Sequence, residues 1–388
     1  MRRLDPEAVA FLASEAARRE LEALAGRPLD PLTTLAALRK RWSEDEAAWL
    51  YDQARLRRRA RAKFPRADAM LFEAEALEQA SAWPVARWRA EHVFGPYERV
   101  ADLGAGLGGD ALALAHAGKR VLAVERDPVR AALLEHNAAA LGLAERIEVV
   151  RADWRALELE AEAAFADPAR RSGGRRTVRL DAMEPPLADL ERLADRLPAV
   201  AVKLAPALDK AELPARAGLG FVSLGGELKE ALAGFGELAW PEPWAAVLPE
   251  GAVLEGPERA APAGPPRGFF YEPDPAVIRA GLVGRLAAEL EARLLAEQVA
   301  YLTADACRPT PLARCWRVLR HGPYRLKTLR AWLDELEAGP VSFKRRRSPV
   351  DPDELARKLG GRKAGRALTV ALTRLENRPW MFVLADPD

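Results

Sequence analysis

Asp102-Leu-Gly-Ala-Gly-Leu-Gly-Gly-Asp110 constrains this chain more than any other segment. It follows the apolar run Arg99-Val-Ala101 and precedes the helical stretch Ala111 to Ala117, so a strand is predicted to run into a glycine turn that opens a helix. Glycines at 104, 106, 108 and 109 permit a sharp turn and a close approach to a ligand, because no Cβ intervenes. Free N–H groups at the start of the following helix favour an anionic group such as a carboxylate. Strand, glycine turn and helix in that order predict a nucleotide-type cofactor site on an open α/β sheet.

Gly104, Gly106 and Gly109 also satisfy the G-x-G-x-x-G spacing of dinucleotide sites. Asp102, two residues ahead of the first glycine, and the continuous Gly106-Leu-Gly-Gly-Asp110 favour S-adenosylmethionine (SAM) instead, with the acid holding the methionine end. Arg120 to Val124 reads as a second strand ending in Glu125, where a carboxylate accepts both ribose hydroxyl hydrogens of either cofactor. A third strand, Ile147 to Val150, leads into Arg151-Ala-Asp-Trp154, which offers Asp153 to an adenine amino group and Trp154 to the face of the ring. Ala163 to Ala166 reads as a fourth strand and ends in Asp167-Pro-Ala-Arg-Arg171. Open α/β sheets bind ligands at the carboxyl ends of their strands, so the substrate is expected there. Acids at four successive strand ends favour SAM over a dinucleotide. Simpler roles compete at single positions: Asp153 as a turn or cap residue, Trp154 as edge packing, and Asp127 before Pro128 as a helix cap rather than a ligand.

A chain of 388 residues holds two or three domains on ordinary size grounds. Residues 1–90 read as helical, with breaks near Gly26-Arg-Pro28, Pro31, Pro65 and Pro84. Residues 91–250 alternate strand and helix, with Leu187 to Leu197 as a helix and Ala199 to Leu204 as a fifth strand. Gly220 to Leu224 and Trp244 to Leu248 are expected to close the sheet as an antiparallel hairpin. A connection rich in Pro, Gly and Ala follows, and residues 268–388 read as a small α+β domain that begins with a strongly helical stretch from Pro275 to Gln298. No apolar run approaches a membrane span and Met-Arg-Arg-Leu-Asp-Pro lacks the apolar core of a signal peptide, so a cytoplasmic location is expected. Cys307, Cys315 and four scattered histidines carry no zinc-ligand spacing, and no metal is expected.

Net charge is only +2, yet basic residues cluster in Arg55-Leu-Arg-Arg-Arg-Ala-Arg-Ala-Lys63, Arg170-Arg-Ser-Gly-Gly-Arg-Arg176 and Lys344-Arg-Arg-Arg347. Convergence on one face would neutralise phosphates along a polyanion. The alternative is three separate solvated faces.

Lys63-Phe64, Leu77-Glu-Gln-Ala-Ser81, the glycine turn, Asp167-Pro-Ala-Arg170, Val202-Lys-Leu-Ala-Pro206, Gly226-Glu-Leu-Lys229 and Glu272-Pro-Asp-Pro-Ala-Val277 span nearly the whole chain in order. In these motifs the chain resembles bacterial class I SAM-dependent methyltransferases with a THUMP-like C-terminal domain, relatives of the trimethylguanosine-synthase-like RNA methyltransferases. The resemblance implies a helical N-terminal region (1–90), a Rossmann-like α/β catalytic domain (91–250) and a THUMP-like α+β domain (268–388). It implies SAM held by Asp102, Gly104, Gly106, Gly108, Gly109 and Asp110 on the methionine side, by Glu125 at the ribose, and by Asp153 and Trp154 at the adenine. Asp167 and Pro168 correspond to the strand-end motif of amino-group methyltransferases, which usually reads Asp-Pro-Pro followed by an aromatic. This chain has Ala169 and Arg170 instead.

Arg170 is then expected to lie flat on a base, to grip a phosphate or carboxylate, or to pair with Asp167. The resulting expectation is a SAM-dependent methyltransferase acting at a base nitrogen of RNA. Asp167 orients the nucleophile, and Arg170, Arg171, Arg175 and Arg176 hold the polyanion. The alternatives are a protein or small-molecule acceptor, a SAM- or RNA-binding module without catalysis, and an NAD(P)-dependent oxidoreductase resting on the glycine spacing alone.

Overall fold

The first helices begin at side-chain caps that the sequence supplies at each start. Asp5 caps α1 (Pro6–Ala13), Ser14 caps α2 (Glu15–Ala25) and Asp30 caps α3 (Pro31–Leu38). Ser43 and Glu46 form a reciprocal capping box on α4 (Glu44–Ala60). Two further helices, α5 (Ala74–Gln79) and α6 (Trp83–His92), complete the helical region. The structure is a computed structural model and describes residues 2–168, 171–172, 175–176, 180, 183–361 and 364–387, with backbone alone at 171–172 and 175–176.

The chain divides into two units, the first comprising residues 1–218 and 231–240. After the helices it alternates β1 (Arg99–Leu103), α7 (Gly109–His116), β2 (Arg120–Val124), α8 (Pro128–Ala140), β3 (Ile147–Val150) and β4 (Ala163–Ala166). A two-residue hairpin, β5 (Arg171–Ser172) and β6 (Arg175–Arg176), precedes α9 (Leu187–Leu193) and β7 (Ala199–Leu204). Strands β3, β2, β1, β4 and β7 lie side by side in that order, all parallel. Every residue of β4 and β7 is buried, which is why β4 reads as a continuous apolar run and β7 as one broken only by Lys203. The order steps outward from β1 in both directions, so the crevice beside the carboxyl ends of β1 and β4 is the switch point where such sheets bind ligands.

Two strands follow, β8 (Gly218–Leu224) and β9 (Glu227–Gly236). The antiparallel position beside β7 belongs to β9, with Ala199 opposite Gly236 and Leu204 opposite Ala231. The expected hairpin of 220–224 with 244–248 is therefore corrected. Those segments pair in parallel, as β8 with β10 (Trp244–Leu248), and β11 (Ala252–Glu255) pairs antiparallel with β10. Helix-forming Glu, Leu, Lys and Ala with two glycines hid β9, because no β-branched residue marks it.

The second unit comprises residues 219–230 and 241–388. Besides β8, β10 and β11 it contains β12 (Phe269–Pro273), α10 (Pro275–Ala280), α11 (Val283–Glu289), β13 (Arg293–Ala296), β14 (Val299–Ala304) and β15 (Ala313–Pro323). It continues with α12 (Leu326–Glu335), β16 (Ala338–Arg345), α13 (Pro352–Leu359), β17 (Arg366–Leu375) and β18 (Arg378–Ala385). The seven-stranded sheet runs β13-β14-β12-β15-β18-β17-β16, antiparallel except for β16 with β17. Leu329 and Leu333 of α12 and Leu355 of α13 pack against Val370, Leu372 and Val383. The strongly helical stretch expected from Pro275 to Gln298 is also corrected: Gly281 at φ +86° ends α10, and Arg293–Ala296 is a strand on β14. Ladder pairing outweighs the helix propensity of its Leu and Ala residues. Among the described residues no helix is long and apolar enough to cross a membrane.

Candidate active site

The glycine turn leaves β1 through three residues of positive φ, Gly104 (79°), Gly106 (57°) and Gly108 (96°). The N–H groups of Gly104 and Ala105 donate to the Val124 carbonyl at 2.8 and 3.1 Å, tying the turn to the end of β2. A Cβ on Gly104 or Gly106 would meet open space, so backbone conformation alone demands glycine there. At Gly108 a Cβ would lie 2.1 Å from Cδ1 of Leu134, a side chain fully buried in α8. Gly108→Ala is therefore expected to lower the stability of the ligand-free protein by about 2–4 kcal/mol, and Gly104→Ala by only about 1–2 kcal/mol. Urea unfolding of both variants checks the difference; equal losses would contradict the packing argument.

A cavity of about 380 Å³ opens at the carboxyl ends of β1 to β4. Asp102, Gly104, Gly106, Gly109, Asp110, Glu125, Asp153, Trp154, Asp167 and Pro168 all line it. Asp102 is 3% exposed, and its Oδ2 has no hydrogen-bond partner among the described residues. Burial and, after it, the charge of Asp110 push the Asp102 carboxyl well above the usual carboxylate range, with Arg89 opposing. Glu125 accepts the Gly106 N–H on Oε2 and the Asp127 N–H on Oε1, each at 2.8 Å, which fixes its plane at the turn. Asp127 caps α8 through Val129 and Arg130, as its place before Pro128 implied.

Asp153 takes the cap role as well, accepting the Arg155 N–H at 3.0 Å. It also forms a bidentate pair with the Arg155 guanidinium, which holds its carboxyl below the usual range. Arg155 reaches Glu184 at 3.4 Å, so the Asp153 rim is braced across the cavity mouth. Trp154 is nearly buried and still lines the cavity. Packing and ligand contact are thus compatible at that position.

At the end of β4, Lys203 Nζ donates to Asp167 Oδ2 at 2.5 Å and to Ser81 Oγ at 3.2 Å. Arg89 donates to Asp110 and to Ser81, and its guanidinium lies over the Phe165 ring at 4.2 Å. Ser81 and Lys203 lie in motifs that carry the resemblance but had been given no role, and Arg89 was not singled out. For Lys203 a signal existed: a lone charge inside the apolar strand Ala199-Val-Ala-Val-Lys-Leu204 must be paired when buried. Ala169 and Arg170 lie outside the described residues, as do the side chains of Arg171, Arg175 and Arg176.

The helical region supplies one wall of the cavity through Glu78, Gln79 and Ala80. Lys63 fixes that wall by donating to the carbonyls of Leu77, Glu78 and Ala80 at 2.8–2.9 Å. Asn137 of α8 bonds Leu71 in both directions and the Leu107 carbonyl of the glycine turn, so helical region and turn are stitched together. The first basic cluster is largely consumed in such bracing. Arg57 is buried on the Met70 carbonyl, its guanidinium pulled down to about 10 by burial, while Arg58 holds the Leu24 and Arg27 carbonyls. Arg59 pairs with Glu78 and Arg61 with Asp68. In the third cluster Lys344 and Arg346 share Glu272, Arg345 pairs with Asp351, and Arg347 donates to Gln298.

An unpartnered carboxylate oxygen, an open glycine cradle and a backbone-fixed Glu125 suit a ligand with a cationic amine and a ribose diol. Residues 88–188 match a protein-family model described as “Putative SAM-dependent methyltransferase”, and residues 313–386 match one described as “THUMP domain-like”. An uncharacterized S-adenosylmethionine-dependent methyltransferase of Mycobacterium tuberculosis, present in strains CDC 1551 and H37Rv, is 35% identical over 352 residues, covering 85% of this chain and 94% of the relative. The crystal structure of a “putative methyltransferase” from Porphyromonas gingivalis W83 superposes with a TM-score of 0.82 at 20% identity and covers all of both chains, a likeness of fold.

Proposed function

The chain belongs to the class I SAM-dependent methyltransferases that carry a THUMP-like C-terminal domain, and on that premise we propose that it methylates a base nitrogen of RNA. Its cofactor supplies a methyl group on a sulfonium, open to in-line attack by a lone pair. The hydride chemistry of a dinucleotide enzyme is set aside with the family. The observation that carries the reading is that Asp167 and Pro168 line the same cavity as Asp102, Glu125 and Asp153.

In this reading Asp102 holds the amino group of the methionine end, beside the cradle of Gly104, Gly106 and Gly109 and the acid Asp110, while Gly108 packs against Leu134 and does not line the cavity. Glu125 takes the ribose hydroxyls, and Asp153 and Trp154 take the adenine edge and face. Asp167 and the Pro168 carbonyl accept the hydrogens of an acceptor amine, which turns the nitrogen lone pair toward the methyl group. Alignment and exclusion of water do most of the work in such a displacement. The nitrogen would gain the methyl group as the methyl's bond to sulfur breaks and a neutral thioether leaves, and would give up one proton, for which the Asp167 carboxylate is the acceptor in this reading. Lys203 pairs with Asp167 through Oδ2. In this reading Arg170, with Arg171, Arg175 and Arg176, holds phosphate or stacks on a base. The arginine-rich segment directly after Asp167-Pro168 and the THUMP-like match support RNA as the acceptor.

Incubating the protein with methyl-labelled SAM and total RNA from cells lacking the gene is expected to place label in RNA. Label confined to protein or to small molecules would overturn the proposal.

A further inference from the structure

We propose that Lys203 is a positioning residue for the methyl acceptor, fixing the Asp167 carboxylate through Oδ2 while Ser81 ties the lysine to the Arg89–Asp110 pair. The inference rests on the reading of Asp167 as the group that orients the acceptor. Lys203 lies in β7, where every residue is buried, and is itself 6% exposed. A lysine stays in such a place only when paired, and here Asp167 and Ser81 accept hydrogen bonds from it at 2.5 and 3.2 Å.

The direction of each bond follows from the donors available. A serine hydroxyl offers one hydrogen and two lone pairs, whereas lysine and arginine offer hydrogens only. Ser81 Oγ has Lys203 Nζ at 3.2 Å and Arg89 Nη2 at 3.3 Å, so both lone pairs are engaged by cations. Its single hydrogen must then go to Asp110 Oδ2, 3.3 Å away. The hydroxyl is fully used, and the chain of bonds runs without a break from Asp167 to Asp110.

Arg89 is seated on the Phe165 ring of β4, two residues before Asp167, so the strand that leads to Asp167 also supports the arginine. Lys203 engages one oxygen of Asp167 and, among the described residues, Oδ1 takes no protein hydrogen bond. With its rotation stopped, the carboxylate presents Oδ1 to the acceptor in one orientation rather than several.

The test is turnover at saturating SAM on total RNA from cells lacking the gene, beside calorimetric binding of S-adenosylhomocysteine, for wild type, Lys203→Met, Lys203→Arg, Ser81→Ala, Asp167→Asn and Asp167→Asn with Lys203→Met. Lys203→Met is expected to lower kcat by roughly 10- to 100-fold with ligand affinity held within about threefold. Lys203→Arg restores part of kcat, because it still donates to the carboxylate. In the Asp167→Asn background, Lys203→Met costs less than about twofold more, since the two residues act as one unit. Full multiplicativity of the two losses, or no recovery with arginine, would overturn the proposal. Should the methionine variant not fold, Ser81→Ala carries the test: a severalfold lower kcat at unchanged affinity is expected, and an unchanged kcat contradicts it. Full activity in Asp167→Asn alone would instead overturn the reading of Asp167 on which the inference rests.

Discussion

Asp167→Ala is expected to lower methyl transfer on the order of a hundredfold or more at saturating SAM, while affinity for S-adenosylhomocysteine stays within about threefold. The carboxylate lies at the strand end and lines the cavity, so its removal strikes the acceptor rather than the cofactor. It also removes one carboxylate paired with the nearly buried Lys203 ammonium, so the melting temperature of this variant falls as well. Asp167→Asn keeps a neutral oxygen for the lysine and loses only the charge, so it reads the need for a carboxylate while the lysine retains an acceptor. Single-turnover rates and calorimetry on both variants check the prediction. Equal losses of rate and of ligand affinity would place Asp167 on the cofactor instead.

Asp102→Asn is expected to move two quantities in opposite directions. Among the described residues the buried Oδ2 has no partner, so the ligand-free fold carries an unsatisfied acceptor whose charged form burial disfavours. A carboxyl raised in the folded state binds more protons there than in the unfolded chain. Stability of the ligand-free protein therefore falls as pH rises from the ordinary carboxylate range through the raised folded value, and stays reduced above it. The asparagine variant lacks that slope and melts higher at neutral pH. It also loses the ionised partner for a cationic amine, and weakens SAM binding by roughly 10- to 100-fold, the equivalent of a charge-assisted hydrogen bond. Melting curves from pH 4 upward, with SAM titrations at neutral pH, read both effects. A variant that binds SAM as tightly as wild type would remove Asp102 from the cofactor.

The part of this site visible in sequence is the part built by local rules. A glycine turn between an apolar strand and a helix, an Asp-Pro pair opening α8, and acids closing successive strands each depend on residues a few positions apart. They appear in the structure where the spacing put them. What stayed hidden depends on pairing across the fold. Lys203 meets Ser81 across 122 positions, and Asn137 meets Leu71 across 66. No periodicity predicts such meetings. Charge density misled for the same reason: Arg57, Arg58 and Lys63 look like a surface for a polyanion, but their donors hold backbone carbonyls inside the helical region. Strand β9 escaped because its residues favour helix while its neighbour β7 offers a ladder.

The most direct measurement combines the reaction with the identity of its product. RNA from cells lacking the gene is treated with deuterium-labelled SAM and either the wild-type protein or Asp167→Ala, then digested to nucleosides for mass spectrometry. The predicted result is one base-methylated nucleoside that gains the labelled methyl group with wild type and not with the variant. Label on a ribose oxygen, label that persists in Asp167→Ala, or no labelled nucleoside in any RNA fraction would contradict it.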